Sequence, residues 1–312
     1  MNWLTGWGKR KLIFIPLVKS NQTDINVFYQ ASYDPLMNAD FSDVRFTDDD
    51  GTTVLYHYEV KKVNSVSCLF AIKIPALTAN TRKIIGFYYS NGSAPSVSDG
   101  NNTFPFFDDF SGTLAKWDVT GGVSIAGGVM VLPAGNSTAY TKLKYSGTKG
   151  VRFRIRYAFA HYNNSGYDHG GFLSAGGMQA GYRINGGNPA PLAQFNVQRT
   201  HKFPGYMTTE ATMNWMLGIT QYLDNTLYDI SIEKGDPYKT SFYINDVLRK
   251  ELFTPKRILS DDANITGGFN HRIPELEYVS YFFIYNLPAD STPWPVLKLS
   301  GDISTNLEED SP

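Results

Sequence analysis

The sequence predicts an all-β protein: a small sandwich, a second and larger sandwich, and an extended tail. Three observations carry that prediction. Rings and glycines are abundant, with 20 Tyr, 20 Phe and 28 Gly among 312 residues. Aromatic residues suit pleated, half-buried surfaces, and glycines suit tight turns. Short apolar stretches recur along the chain, cut by clusters of Gly, Asn, Asp, Ser and Pro, which is the spacing of a sandwich or jelly roll. Alternation is clearest in Val151-Arg152-Phe153-Arg154-Ile155-Arg156-Tyr157, where apolar residues share one face and three arginines the other.

In chain order, the first unit is expected over residues 1–100. Its strands fall at Lys11–Val18, Val27–Tyr29, Asp43–Thr47, Val54–Val60, Val66–Ile74 and Lys83–Tyr89. Asp48-Asp49-Asp50-Gly51 has hairpin-turn chemistry, with Gly supplying positive φ. Pro75 is expected to end a strand, because it cannot donate to a ladder. Pro35–Phe41 carries a weak signal for a helical turn, and Ser90–Asn102 reads as the connection between units. The second unit is expected over 104–288. Its strands fall at Val129–Leu132, Ala139–Leu143, Val151–Ala160, Gly171–Leu173, Gln179–Ile184, Leu192–Arg199, Leu227–Lys234, Thr240–Ile244, Val247–Phe253 and Val279–Tyr285, with a hairpin turning at Asn245-Asp246. Residues 289–312 lose the pattern and read as an extended or disordered tail.

Charge excludes several function classes. With 28 basic and 29 acidic residues, no field draws in nucleic acid. Charged residues make up only 18% of the chain, so Ser, Thr, Asn and Tyr must cover much of the surface, and such surfaces suit sugars or protein neighbours. No stretch approaches the roughly 20 apolar residues of a membrane span. Lys9-Arg10-Lys11 followed by Leu12–Val18 has the outline of a signal peptide. Pro16 interrupts that run and no small-residue cleavage site follows, so a strand explains it better. Cys68 stands in a strand-like run and reads as a buried small hydrophobe, with no neighbouring base to activate it.

Several motifs resemble known families. Trp7-Gly8-Lys9-Arg10-Lys11, Ser42-Asp43-Val44-Arg45-Phe46-Thr47-Asp48, Ile74-Pro75-Ala76-Leu77, and Tyr88-Tyr89 followed by Asn91-Gly92-Ser93-Ala94 resemble a domain family of unassigned function. That family occurs at the start of bacterial, archaeal and phage surface proteins. Phe107-Asp108-Asp109-Phe110-Ser111-Gly112 with Trp117 is similar to the opening of a concanavalin A-like lectin/glucanase domain. The second resemblance implies paired, curved antiparallel sheets, so the larger sandwich is expected to be a concanavalin-like jelly roll.

Candidate sites follow. Tyr162, Asn163, Asn164, Tyr167 and Asp168 offer flat apolar faces beside amide and carboxylate groups, and are candidates for contacting a sugar. Residues 201–224 read as irregular yet rich in large apolar groups. Within them Phe203, Tyr206, Trp215 and Tyr222, together with Trp294 of the tail, are candidates for a subunit interface. Asp108 and Asp109 either hydrogen-bond a turn or ligate calcium, the one cofactor the residues leave open. Glycoside hydrolysis needs two flanking carboxyl groups. Glu275 and Glu277 would share a strand face about 6.6 Å apart. The glucanases that the second motif resembles carry a third carboxylate on that strand, and here it is missing, so a solvated strand end is expected instead.

The expected function is non-catalytic: a virion structural or attachment protein of a phage or archaeal virus, in its tail, fibre or capsid surface. Its partners would be other virion proteins, copies of itself and host surface glycan. The resemblance implies a surface setting, and a surface-type protein without an export signal is a processed piece, a non-classically exported protein or a virion part released by lysis; the last is preferred. A secreted cell-surface adhesin and a glycan depolymerase are the alternatives.

Overall fold

Apolar residues at every second position commit both halves of the chain to paired sheets. The computed structural model describes residues 1–135, 137–145, 149–156, 168–174, 193–198, 204–208, 214–215, 226–234, 239–253, 266–271, 276–288 and 308–310. The chain divides into Met1–Pro105 with Pro288–Pro312, and Phe106–Leu287.

The first unit contains β1 (Lys9–Ile15), β2 (Gln22–Ser32), β3 (Arg45–Thr47), β4 (His57–Val63), β5 (Ser67–Leu77) and β6 (Lys83–Tyr89), then a short helix α1 (Gly100–Thr103). Asp99 caps α1 by accepting from the Asn102 backbone N–H. One sheet runs β1-β6-β3 and the other β2-β5-β4. Ile13, Ile15, Ile85, Phe87 and Phe46 of the first and Val27, Cys68, Phe70, Ile72 and Ile74 of the second share one apolar core. Pro75 does not end its strand, contrary to expectation, since β5 continues to Leu77. Pairing with β4 stops at Ile72, so β5 is an edge on that side by Pro75, where a missing donor is tolerated. Pro35–Phe41, expected as a short helical turn, forms hydrogen-bonded turns: Met37 N–H reaches Asp34 O and Phe41 N–H reaches Asn38 O.

The second unit contains β7 (Phe106–Asp108), a 3-10 turn at Leu114–Lys116, β8 (Trp117–Thr120), β9 (Ser124–Ala126), β10 (Val129–Leu132), β11 (Ser137–Thr141) and β12 (Lys149–Arg156). It continues with β13 (Asp168–Ser174), β14 (Ala193–Gln198), β15 (Pro204–Thr208), β16 (Asn214–Trp215), β17 (Leu227–Lys234), β18 (Lys239–Ile244), β19 (Val247–Phe253), β20 (Thr266–His271) and β21 (Glu277–Asn286). One antiparallel sheet is ordered β19-β18-β17-β12-β21-β10-β9, with β7 also on β21; the other is β16-β15-β14-β13-β20-β11-β8. Phe153, Ile230, Phe242 and Phe282 of the first sheet meet Trp117, Ala139 and Phe269 of the second in one core. Phe153 and Phe282 each meet the Phe269 ring in an edge-to-face arrangement. The chain therefore has the all-β, two-sandwich class its sequence predicts. A last strand, β22 (Glu308–Asp310), returns to the first unit and pairs antiparallel with β1.

Candidate functional site

Strand β12 sends Val151, Phe153 and Ile155 into the core, so Arg152 and Arg154 belong to the other face of the sheet. Register sets Arg152 opposite Ser231 of β17 and Phe283 of β21, and Arg154 opposite Asp229 and Tyr281. The Arg154 guanidinium donates to Asp229 from Nε at 2.8 Å and from Nη2 at 3.0 Å, a bidentate pair. Arg152 donates through Nη1 and Nη2 to Asp246 and through Nε to the Tyr281 hydroxyl, which in turn donates to Asp229. Tyr285 donates to Glu233 Oε1 at 2.8 Å. The Tyr281 and Phe283 rings stack at 5.6 Å, and Arg154 lies 5.1 Å over Tyr281. Asn245 and Asp246 take the two positive-φ positions of the β18–β19 turn, and Asn245 Oδ1 accepts from the Asp229 backbone N–H.

Two guanidinium charges thus meet Asp229 and Asp246. Burial would raise the Asp229 carboxyl, but the Arg154 hydrogen bonds and the charges of both arginines outweigh it and hold its pKa below the ordinary value. Burial raises the Tyr281 hydroxyl, which stays a neutral donor. A carboxylate fixed in this way accepts hydrogen bonds and does not shuttle protons near neutrality. Asp229 and Glu233 are four residues apart on β17, roughly 13 Å along the strand. That exceeds the roughly 5–9.5 Å that separates paired glycosidase carboxyls. Solvent reaches the network at its edge, where the Arg154 and Asp246 side chains are 26% and 27% exposed. The partly exposed groups are a guanidinium and a carboxylate, which donate and accept hydrogen bonds respectively.

The sequence candidates fare differently. Tyr162, Asn163, Asn164 and Tyr167 lie outside the described residues, and Asp168 opens β13 opposite Gln198. Phe203, Tyr222 and Trp294 also lie outside them. Tyr206 stands in β15 opposite Phe195, and Trp215 in β16 opposite Gly205, so the stretch read as irregular contains two strands. Asp108 accepts from the Phe110 N–H and, at 2.7 Å, from Trp117 Nε1; Asp109 accepts from the Ser111 N–H and hydroxyl. Among the described residues no group of three or more His, Cys, Asp or Glu stands together as a metal site would require. Glu275 lies outside the described residues, while Glu277 is only 1% exposed rather than solvated, because it enters β21 opposite the core residue Leu132.

The motif residues of the first unit tie loops together. The Asp43 carboxylate accepts from the backbone N–H groups of Asn38, Ser90 and Asn91, and its carbonyl accepts from Trp7 Nε1. Arg45 donates to the Ser42, Val44 and Pro95 carbonyls. Asp50 caps its turn through Thr52 and Thr53, which lowers its pKa to about 2, the Thr53 hydroxyl being the largest cause. The arginines of the network were legible as one face of a strand. Asp229 and Glu233 carry a weaker signal, the alternation Asp229-Ile230-Ser231-Ile232-Glu233, which sets both on the face opposite two isoleucines.

Residues 40–120 match the model of a domain of unknown function, DUF2341. The match takes in both the Asp43–Asp50 motif and Phe107–Trp117. The comparison with curated proteins finds no match. Solved structures resemble the chain at low identity. One is described with endo-acting O-glycanases that prominent members of the human gut microbiota express to initiate mucin breakdown: 10% identity, 60% of this chain and 100% of that one, TM-score 0.44. Another is the carbohydrate recognition domain of Emp46p in metal-free form, at 14% identity, 57% and 94% coverage and a TM-score of 0.42. A third is the carbohydrate-binding module CBM66 from Bacillus subtilis, at 12% identity, 55% and 96% coverage and a TM-score of 0.38. At scores below 0.5, these likenesses assign no ligand to this chain.

Proposed function

We propose that the protein attaches or assembles without breaking bonds, and that its larger sandwich offers a surface to glycan hydroxyls or to neighbouring subunits. The observation that carries this reading is the Arg152–Arg154–Asp229–Asp246–Tyr281 network. Its two aspartates are bound by guanidinium groups, and Asp229 is held ionised instead of poised as an acid. Arg154 and Asp246 are both partly exposed, and a guanidinium and a carboxylate are groups that can hydrogen-bond sugar hydroxyls. Many weak contacts of this kind become firm attachment when copies are linked. The setting we propose is a virus particle, as part of a tail, fibre or capsid surface; the surface-protein resemblance of the first unit supports it.

A glycan array followed by titration of the best binder tests the binding. Wild-type protein is expected to retain a glycan, and Arg154→Gln to weaken it about tenfold, the share of one charge-assisted hydrogen bond. Release of reducing ends from a polysaccharide would replace this reading with a hydrolase. Retention of no sugar, with a defined oligomer in solution, would leave assembly alone.

A further inference from the structure

Independently of any glycan, the first unit carries a built strand-acceptor edge. Strand β1 pairs along one side with β6 over Lys9–Ile15. On its other side it receives β22, and the register is Lys9 with Asp310, Arg10 with Glu309, and Lys11 with Glu308. Three consecutive basic residues therefore stand opposite three consecutive acidic ones. Opposite charges across an antiparallel pair stabilise it, and like charges destabilise it. Any slip along β1 sets an acidic residue against an apolar one or past the strand end, so charge specifies this register. Among the described residues the pairing with β22 covers Lys9–Lys11, and β1 runs on to Ile15. An added strand binds through main-chain hydrogen bonds, the mode of β-augmentation.

We propose that the β1 edge is an interface between copies of this chain, which exchange their acidic C-terminal strands. The register and the sequence of charges are the same whether Glu308–Asp310 comes from the same copy or from a neighbour, the condition under which strand swapping gives dimers at low cost. The nineteen residues 289–307 separate the first unit's Pro288 from Glu308. Fully extended they span at most about 60–70 Å, long enough to reach a neighbouring molecule. A tether of that length gives the resident strand an effective concentration of the order of millimolar. Exchange is therefore favoured where copies are crowded, as in an assembled array, and the single copy closes on itself when dilute.

Charge reversal tests this with the full chain. One variant carries Lys9→Glu and Lys11→Glu, leaving Arg10 in place because it donates to Asn2 O and the Tyr88 hydroxyl. The second carries Glu308→Lys and Asp310→Lys, leaving Glu309 in place opposite Arg10. Each alone mismatches its own edge and tail, whereas a mixture matches both edges reciprocally. Sedimentation of the equimolar mixture is expected to show a species of twice the monomer mass that neither variant forms alone. A chain combining all four changes is expected to sediment as the wild type does. If the first variant fails to fold by circular dichroism, a labelled peptide of residues 306–312 titrated into the second variant replaces it. That peptide is expected to bind the second variant about tenfold more tightly than the wild type, whose edge is occupied by its tethered tail. Absence of the heavier species from a mixture of folded variants overturns the proposal, as does equal binding of the peptide by wild type and second variant.

Discussion

His57 and Asp229 show how far a single buried group can set stability. His57 lies between Phe46 and Phe70, with ring centroids 5.2 and 5.7 Å away. Burial drives its pKa down from 6.5 to about 4, so the folded chain holds it neutral. Between those values the unfolded chain binds a proton that the folded chain refuses. Stability is therefore complete above pH 6.5 and is lost as pH falls towards 4, by roughly 3 kcal/mol for the whole window. Denaturant titrations of wild type and His57→Gln at pH 7 and 4.5 test this: the variant should lose clearly less stability across the interval, and parallel losses would exclude His57 as the cause. Asp229→Asn should cost about 3 kcal/mol, because it takes the carboxylate from the Arg154 guanidinium and leaves Arg152 to Asp246. Its cost is read from the midpoint of chemical unfolding, and a change under 1 kcal/mol would mean that Asp246 alone neutralises both arginines. Burial also pushes the Cys68 thiol upward, and a thiol reagent should modify it only after unfolding.

Elements depend on contacts that the sequence shows unevenly. Gly268 of β20 lies so near β11 that an added Cβ would stand 2.1 Å from the Ala139 carbonyl oxygen, a backbone atom that cannot swing aside. Gly268→Ala should cost at least roughly 1–3 kcal/mol through forced backbone shifts. Gly112→Ala, with nothing within 4 Å, should stay within about 0.5 kcal/mol, which makes it the control in the same thermal melt. Equal melting temperatures would mean that β11 and β20 can part freely. Strong alternation made β10, β17 and β19 legible with the boundaries the structure gives, as it did β6. β2 was longer than its apolar centre suggested, because Asp24 adopts a positive φ of 54° and polar residues occupy its outer positions. β15, β16 and β20 are not evident in the sequence, since glycines, asparagines and short runs hide a period of two. Of the network, β12 disclosed its arginines, but their partners come from β17, β21 and the β18–β19 turn, at separations of 52–129 residues among the hydrogen-bonded pairs. Local pattern carries no information about which strands become neighbours.

At the scale of the molecule, the two apolar cores share no residue among the described ones: one is built around Phe46, Phe70 and Phe87, the other around Trp117, Phe153, Phe269 and Phe282. Each closes its own sandwich, so each is expected to melt as its own cooperative unit. His57 belongs to the first unit, and the Arg152–Asp229 pair to the second. Calorimetry at pH 7 should therefore resolve two transitions. Acidification to pH 4.5 should lower the transition that His57→Gln protects, whereas Asp229→Asn should lower the other. A bound glycan should raise only the second, since a ligand stabilises the state it binds. One transition that moves as a whole under every change would mean that the cores unfold as a single body, and ligand stabilisation could then no longer be assigned to the larger sandwich.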